Sequence, residues 1–391
     1  MTFFQVFLAV WLLSGVIPFA MAIAAGMWRL AQKHPIDPPC QLPITPVDVL
    51  IPVKGTFPGQ ERILASMLQQ SYPDYQVIFI LESDDDPAAA VVDTLSRKYS
   101  HIRKVVGGIS VTSAQKNYNL LVGLQHIRSE TEILVFCDST NIAHPNWLER
   151  FTAAARSREA EAVTTFRSFK PEPETIGSVC QAIYGTFVLL LAATVPKPWG
   201  GATAIRRETF ERLRVSELWA KTVVDDLVLG NALQRGGVSL KMDTSNLLTS
   251  PLRNQTVQAF LSYLDRQILF PKFTNPGIWL AMLIAYLNFT FAFLVSLGVA
   301  GAFACGRAEG LPGICAWVFL AALVVVALVL RRVNPFRISL RNWLLYFIPA
   351  LFFHAFIVVR SIFRNHIDWH GRRYWPGREG IILRTGFTSG D

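Results

Sequence analysis

Three groups of carboxylates stand where apolar runs end. "VIFILESDDDPA" (77–88) carries Asp84, Asp85 and Asp86, "ILVFCDST" (133–140) carries Asp138, and "TVVDDLVLG" (222–230) carries Asp225 and Asp226. Like charges this close repel and need a cation or hydrogen-bond donors. Two chemistries follow. One is holding a divalent cation together with a substrate diphosphate. The other is taking a proton from a hydroxyl. Each group also has an ordinary use, as an exposed turn or a helix N-cap satisfied by local backbone. Glycine-rich P-loop and dinucleotide fingerprints are absent. The five cysteines, at 40, 137, 180, 305 and 315, have no metal-ligand spacing.

The elements that carry these acids alternate. "VDVLIPVKG" reads as a strand, 61–71 as a helix, 75–83 as a strand and 86–99 as a helix that Pro87 opens. "IRKVVGG" is a third strand, 114–127 a helix, 132–138 a fourth strand, and a later helix starts at Asp225 and Asp226. Short connections between strand and helix predict an α/β fold with a mostly parallel sheet. Ligands bind such sheets beyond the carboxyl ends of the strands. The acid clusters fall at those ends.

Composition adds a second phase. Charged residues are 17% of the 391-residue chain, where a soluble enzyme carries about a quarter. Residues 1–28, 273–306 and 310–330 contain no Asp, Glu, Lys or Arg, and 342–359 is apolar. A span needs about 20 such residues. The reading is an N-terminal anchor (1–28), a catalytic domain (29–275), a C-terminal membrane region (276–361) and a basic tail (362–391). Arg29, Lys33 and His34 follow the first run, which puts the catalytic domain in the cytoplasm. The number of C-terminal crossings stays open. A full fourth crossing would export "RNHIDWHGRRYWPGR", and Pro349 allows 342–359 to be re-entrant or interfacial. The net charge of +9 lies largely beside apolar runs, which suits lipid headgroups rather than nucleic acid. Residues 180–195 read as either an interfacial helix or a buried core helix. Trp199 and the glycines of "PWGGATAIRR" read as an acceptor-side loop.

The pieces "IPVKG", "YPDYQVIFILESDDDPA", "QKNYNLLVGL", "VFCDST", "GGATAIRRETF" and "VVDDLVLGNALQRGG" follow one another in an order that resembles the family-2-like inverting glycosyltransferases, within them the ceramide glucosyltransferase branch. The resemblance runs from about residue 45 through the apolar C-terminal region. It implies a GT-A domain with N-terminal and C-terminal transmembrane helices in a multi-pass membrane protein, bacterial inner membrane included. It also implies a UDP-sugar donor, a divalent cation (Mg²⁺ or Mn²⁺), a membrane lipid acceptor and no obligate protein partner. By the same resemblance, Asp86, Lys116 and Asn119 contact the nucleotide, Asp138 lies near metal and diphosphate, Asp226 is the general base and Arg266 assists. Two departures stand out. Asp225 replaces the usual Glu, and "YLDRQ" (263–267) keeps only Arg266 of the Gln/Arg-x-x-Arg-Trp motif. A processive polysaccharide synthase and a non-catalytic membrane scaffold are the alternatives.

Overall fold

The computed structural model describes residues 2–32, 42–307 and 309–388; Lys33, His34 and Cys40 lie outside the described residues. The chain divides into two compact units. One comprises 1–32, 169–194 and 252–364, the other 33–168, 195–251 and 365–391.

The first unit is helical. It holds α1 (Phe3–Ser14), α2 (Ile17–Ala31), α7 (Ile176–Thr194), α11 (Val257–Thr274), α12 (Pro276–Ala304), α13 (Leu311–Val333) and α14 (Leu340–Phe363). Five stretches are long and apolar enough to cross a membrane: Phe3–Ala31, α7, α12, α13 and α14. The N-terminal run bends between α1 and α2 at Gly15, where a Cβ would come within 2.5 Å of Ala292 Cβ. A small residue there lets two helices approach closely. α7 is the most enclosed of the five, packed against α2 and α14, as a core helix would be. α14 runs unbroken through Pro349. Lys272, near the end of α11, donates to the carbonyls of Ser361 and Arg364 at 2.7 Å. Arg331, in the last turn of α13, donates to the Ile338 carbonyl at 2.9 Å.

The second unit is α/β. Its chain order is β1 (Val47–Pro52), α3 (Gln60–Leu68), β2 (Tyr75–Leu81), α4 (Ala88–Ser96), β3 (Ile102–Val106), α5 (Gln115–Leu124), β4 (Ile133–Cys137), α6 (Trp147–Arg156) and β5 (Ala162–Thr164). After β6 (Arg167–Glu172) come β7 (Ala202–Arg206), α8 (Arg207–Arg212), α9 (Val215–Trp219), α10 (Asp226–Arg235), β8 (Leu240–Met242) and β9 (Leu248–Arg253). The main sheet has the order β3-β2-β1-β4-β7-β5-β8, and β6 pairs separately with β9. Strands β3, β2, β1 and β4 are parallel, while β7 runs antiparallel between β4 and β5. β1 and β4 are buried throughout or nearly so, as strands covered on both faces must be.

"PWGG" is irregular, and "ATAIR" after it is the buried strand β7. One sequence expectation changes. The basic tail is not merely a tail. Its strands β10 (Ile367–Trp369), β11 (Arg372–Pro376) and β12 (Ile382–Phe387) form an antiparallel sheet within the α/β unit.

Candidate active site

Chain order places β2 and β3 on one side of β1 and β4 on the other. That reversal opens a crevice beyond the carboxyl ends of β1 and β4. Lys54 and Gly55 follow β1, and Asp138 follows β4.

Lys116, in the first turn of α5, is the hub of the site. Its Nζ lies 2.9 Å from Asp138 Oδ1 and 3.0 Å from Asp225 Oδ2. It also donates to the Gly200 carbonyl at 3.0 Å. Its side chain is 13% exposed, against 5% for Asp225 and 29% for Asp138. Burial works to lower the Lys116 pKa, but the charges of Asp138, Asp225 and Asp226 outweigh it and raise it. The ammonium therefore stays charged.

Asp226 opens α10 beside this pair. Its Oδ2 accepts from the Gly200 amide at 3.0 Å and its Oδ1 from the Leu227 amide at 2.6 Å. Each oxygen keeps a lone pair free of these bonds, and the residue keeps partial contact with solvent. Desolvation first, then the neighbouring charge of Asp225, lift its pKa to about 6; Lys116 and the two amides pull the other way. The two adjacent aspartates thus differ. Asp225 is spent on Lys116, and Asp226 is held close to neutrality.

Gly200 and Gly201 make this geometry possible. A Cβ on Gly200 would lie 2.6 Å from Asp225 Oδ2 and 2.8 Å from Lys116 Nζ; one on Gly201 would lie 2.0 Å from the Trp199 ring. Only glycine lets the backbone come this near. The Gly201 carbonyl accepts from the Asp138 amide at 3.2 Å, tying "PWGG" to the end of β4. The Trp199 ring packs against Phe166 and beneath the Arg167 guanidinium. The buried Trp219 indole donates to the Asp225 carbonyl at 3.0 Å and so sets the start of α10.

The remaining candidates occupy three different places. Asp86 Oδ1 accepts from the amides of Gly55 and Ala88, both at 2.8 Å, so it caps α4 and pins the loop after β1. Its neighbour Asp84 pairs with Lys104, which also holds Asp93. Asn119 is buried, and its Oδ1 accepts from Gln115 Nε2 at 2.7 Å. Arg266 sits on α11, in the helical unit. Burial pushes the Cys137 thiol up, which keeps it inert.

Sequence reasoning missed one group entirely. Glu82 pairs with Lys54 at 3.0 Å and with Arg372 from the C-terminal sheet. That sheet also contacts the start of α5: Tyr374 Oη accepts from the Gln115 amide at 3.2 Å, next to Lys116.

No group of three His, Cys, Asp or Glu side chains could hold a metal unaided among the described residues. Asp138 still fits a cation completed by substrate. Lys116 engages one of its oxygens, and the side chain is partly exposed. Mg²⁺ in particular binds through one or two carboxylates plus substrate phosphates.

Comparison with known proteins agrees with this architecture. The model of glycosyl transferase family 21 matches residues 15–382. A ceramide glucosyltransferase of Komagataella phaffii is 40% identical over 65 residues, 16% of this chain and 13% of that protein's length. A mannosyltransferase from Pyrobaculum calidifontis, solved in complex with GDP-Man and Mn²⁺, superposes with a TM-score of 0.59 at 17% identity. The superposition covers 91% of this chain and 99% of that one. The likeness is one of fold: a GT-A domain with associated apolar helices.

Proposed function

The chain belongs to glycosyl transferase family 21, and from that premise we propose that it transfers a hexose, glucose or N-acetylglucosamine, from a UDP-sugar to a hydroxyl of a membrane lipid, with inversion. The observation that carries this reading is the division of labour around Lys116. Asp138 and Asp225 neutralise the ammonium, while Asp226 keeps unbonded lone pairs and a pKa near 6. A base poised near the working pH is what removal of a hydroxyl proton asks for.

In the proposed step the acceptor oxygen attacks the anomeric carbon from the face opposite the diphosphate. The carbon–oxygen bond to phosphate breaks, and its electron pair leaves with UDP. The acceptor proton passes to Asp226. One displacement turns an α-linked donor into a β-linked product. Lys116 keeps a fixed positive charge where negative charge grows on the leaving group. Asp138 would hold a divalent cation, with phosphate oxygens completing its shell, and such an ion neutralises charge on the diphosphate. Asp86, whose Oδ2 makes none of the capping bonds, and Asn119 are assigned to the nucleotide side. Arg266 is assigned as a further positive contact. The GDP-Man and Mn²⁺ of the Pyrobaculum enzyme support the pairing of a nucleotide sugar with a cation. The five apolar stretches support an acceptor drawn from the bilayer. Arg29, after the first of them, supports a GT-A domain on the cytoplasmic face.

The test uses membranes containing the protein, Mg²⁺ or Mn²⁺, and a panel of radiolabelled nucleotide sugars. Label entering the organic-extractable fraction, lost in Asp226→Asn, is the expected result. No labelled lipid from any donor overturns the reading.

A further inference from the structure

The C-terminal sheet reaches the loops that follow β1, β2, β3 and α9. The His370 carbonyl accepts from Lys54 Nζ at 3.4 Å. Arg372 donates to Glu82 Oε1 and, at 3.5 Å, to the Ser110 carbonyl. Tyr374 meets the Gln115 amide, and Gly380 and Ile382 bond the backbone of Val223 and Lys221. Backbone contacts alone would serve to dock a tail. The charged side chains at the ends of β1 and β2 ask for a further reason.

Exposure divides these charges. The Arg372 side chain is 8% exposed, that of Glu82 16% and that of Lys54 36%. Arg372 is held by Glu82, by Ser110 and by Phe387, whose ring it overlies at 5.5 Å. A buried guanidinium keeps its carboxylate, because separation leaves both charges unpaired. Lys54 takes the other oxygen, Glu82 Oε2, at 3.0 Å. An ion pair at an exposed rim is weak and exchangeable. An ammonium has three donors, and Glu82 and the His370 carbonyl engage two of them. Glu82 is thus braced between two cations, and the positive charge left over lies at the exposed end, on Lys54. Gly55, the next residue, gives its amide to Asp86, which is assigned to the nucleotide side. Asn119, with the same assignment, bonds the Gln115 side chain, whose residue Tyr374 holds by the amide.

We propose that Lys54 binds an oxygen of the donor's nucleoside diphosphate, and that Arg372 is the positioning residue that makes Lys54 available. By meeting the charge of Glu82, Arg372 leaves the charge of Lys54 for the nucleotide. The C-terminal sheet is then part of the donor site rather than a brace outside it. The proposal rests on the nucleotide-sugar reading above and adds two residues to it, one from the far end of the chain.

The test is titration calorimetry of the full-length protein in phosphatidylcholine nanodiscs, with Mg²⁺ and either UDP or GDP. Lys54→Met changes an exposed residue and should raise Kd about tenfold, the loss of one charge-assisted hydrogen bond. Arg372→Met should raise it about fivefold, because Glu82 then has only Lys54 to neutralise it. In the Lys54→Met background, Arg372→Met should add less than about twofold, since it acts through Lys54. Arg372→Gln, which removes the charge and keeps donors, serves if Arg372→Met does not elute as a single monodisperse species.

An unchanged Kd in Lys54→Met overturns the nucleotide contact. An unchanged Kd in the Arg372 variant, or the same fold-change with and without Lys54, overturns the positioning role, because the sheet then only supports the fold. Glycolipid formation is measured in parallel. If glycolipid forms while both variants keep the wild-type Kd, the inference falls and the reaction stands. If the variants behave as expected yet no donor gives glycolipid, the nucleotide site stands and the transfer falls. A wild type that binds neither UDP nor GDP overturns both.

Discussion

Two charge clusters, one in each unit, have opposite surpluses. In the α/β unit one ammonium, Lys116, meets Asp138 and Asp225, with Asp226 beside them. In the helical unit one carboxylate, Asp265, meets two guanidinium groups, Arg360 at 3.1 Å and Arg364 closer still. Both arginines converge on Oδ2, so Asp265 joins the end of α14 to α11. A carboxylate outnumbered by cations is a strut. A cation outnumbered by carboxylates leaves negative charge over, and that excess can bind a cation or accept a proton. At these two clusters the sign of the surplus matches the role assigned to each.

Lys116→Met should break this comparison most severely. It leaves buried carboxylates without a counter-charge, and removing one partner of a buried ion pair costs about 3–5 kcal/mol. Thermal unfolding in detergent should show a large loss of Tm together with loss of turnover. A near-native Tm would mean that Lys116 is not the hub. Asp226→Asn should lower kcat by about 10²–10⁴-fold with the fold intact. A similar loss from Asp225→Asn with Asp226→Asn still active would exchange the roles assigned to the two.

The pH dependence sharpens the same point. Folding raises the Asp226 pKa from 3.8 to about 6, so the folded state holds that proton more tightly. The associated stabilisation is full below about pH 3.8 and is lost as pH rises through about 6. Relative to wild type, Asp226→Asn should therefore gain Tm between pH 4 and 7. Wild-type kcat/KM should rise through about pH 6, whereas the variant's residual activity should lack that limb. The smallest effect is expected at the strut. Asp265→Asn should cost about 1–3 kcal/mol. It should appear in the melting curve and leave the limb near pH 6 unmoved. A displaced limb would show that the two clusters communicate.

Much of this was legible in the sequence. The strands before Asp84 and Asp138 end in polar residues after unbroken apolar runs, and buried parallel strands look like that. Strand β7 was not legible, because "ATAIR" follows two glycines and is built of small residues. It is a strand because β4 and β5 flank it on both sides, a tertiary fact. Asp226 stood out as a candidate base, but the pairing of Lys116 with Asp225 joins residues far apart in sequence and needed the fold. The C-terminal sheet did carry a signal: Arg372, Tyr374 and Pro376 are buried while Arg373 and Trp375 are not, a period of two. Its positive charge, set against the neighbouring apolar run, suggested a lipid-facing tail instead.

That sheet constrains the path of the chain through the bilayer. The Val223 amide donates to the Gly380 carbonyl at 2.9 Å, and the Ile382 amide to the Lys221 carbonyl at 2.8 Å. The last strands are therefore on the same side as the carboxylate cluster. A thread that leaves one side and rejoins a fold there has made an even number of passages. Between residues 252 and 364 lie three long apolar helices, α12, α13 and α14, and three is odd. Lys272 ties the approach to α12 to the end of α14, and Arg331 ties the end of α13 to the approach to α14. Both ends of α14 thus sit at the same rim of the α12–α13 hairpin. We infer that α12 and α13 make the two passages and that α14 enters without emerging on the far side. On that inference the charged segment after α14 stays on the side of the carboxylate cluster. An impermeant maleimide should then reach Cys305 only from the face opposite a cysteine placed at Thr388.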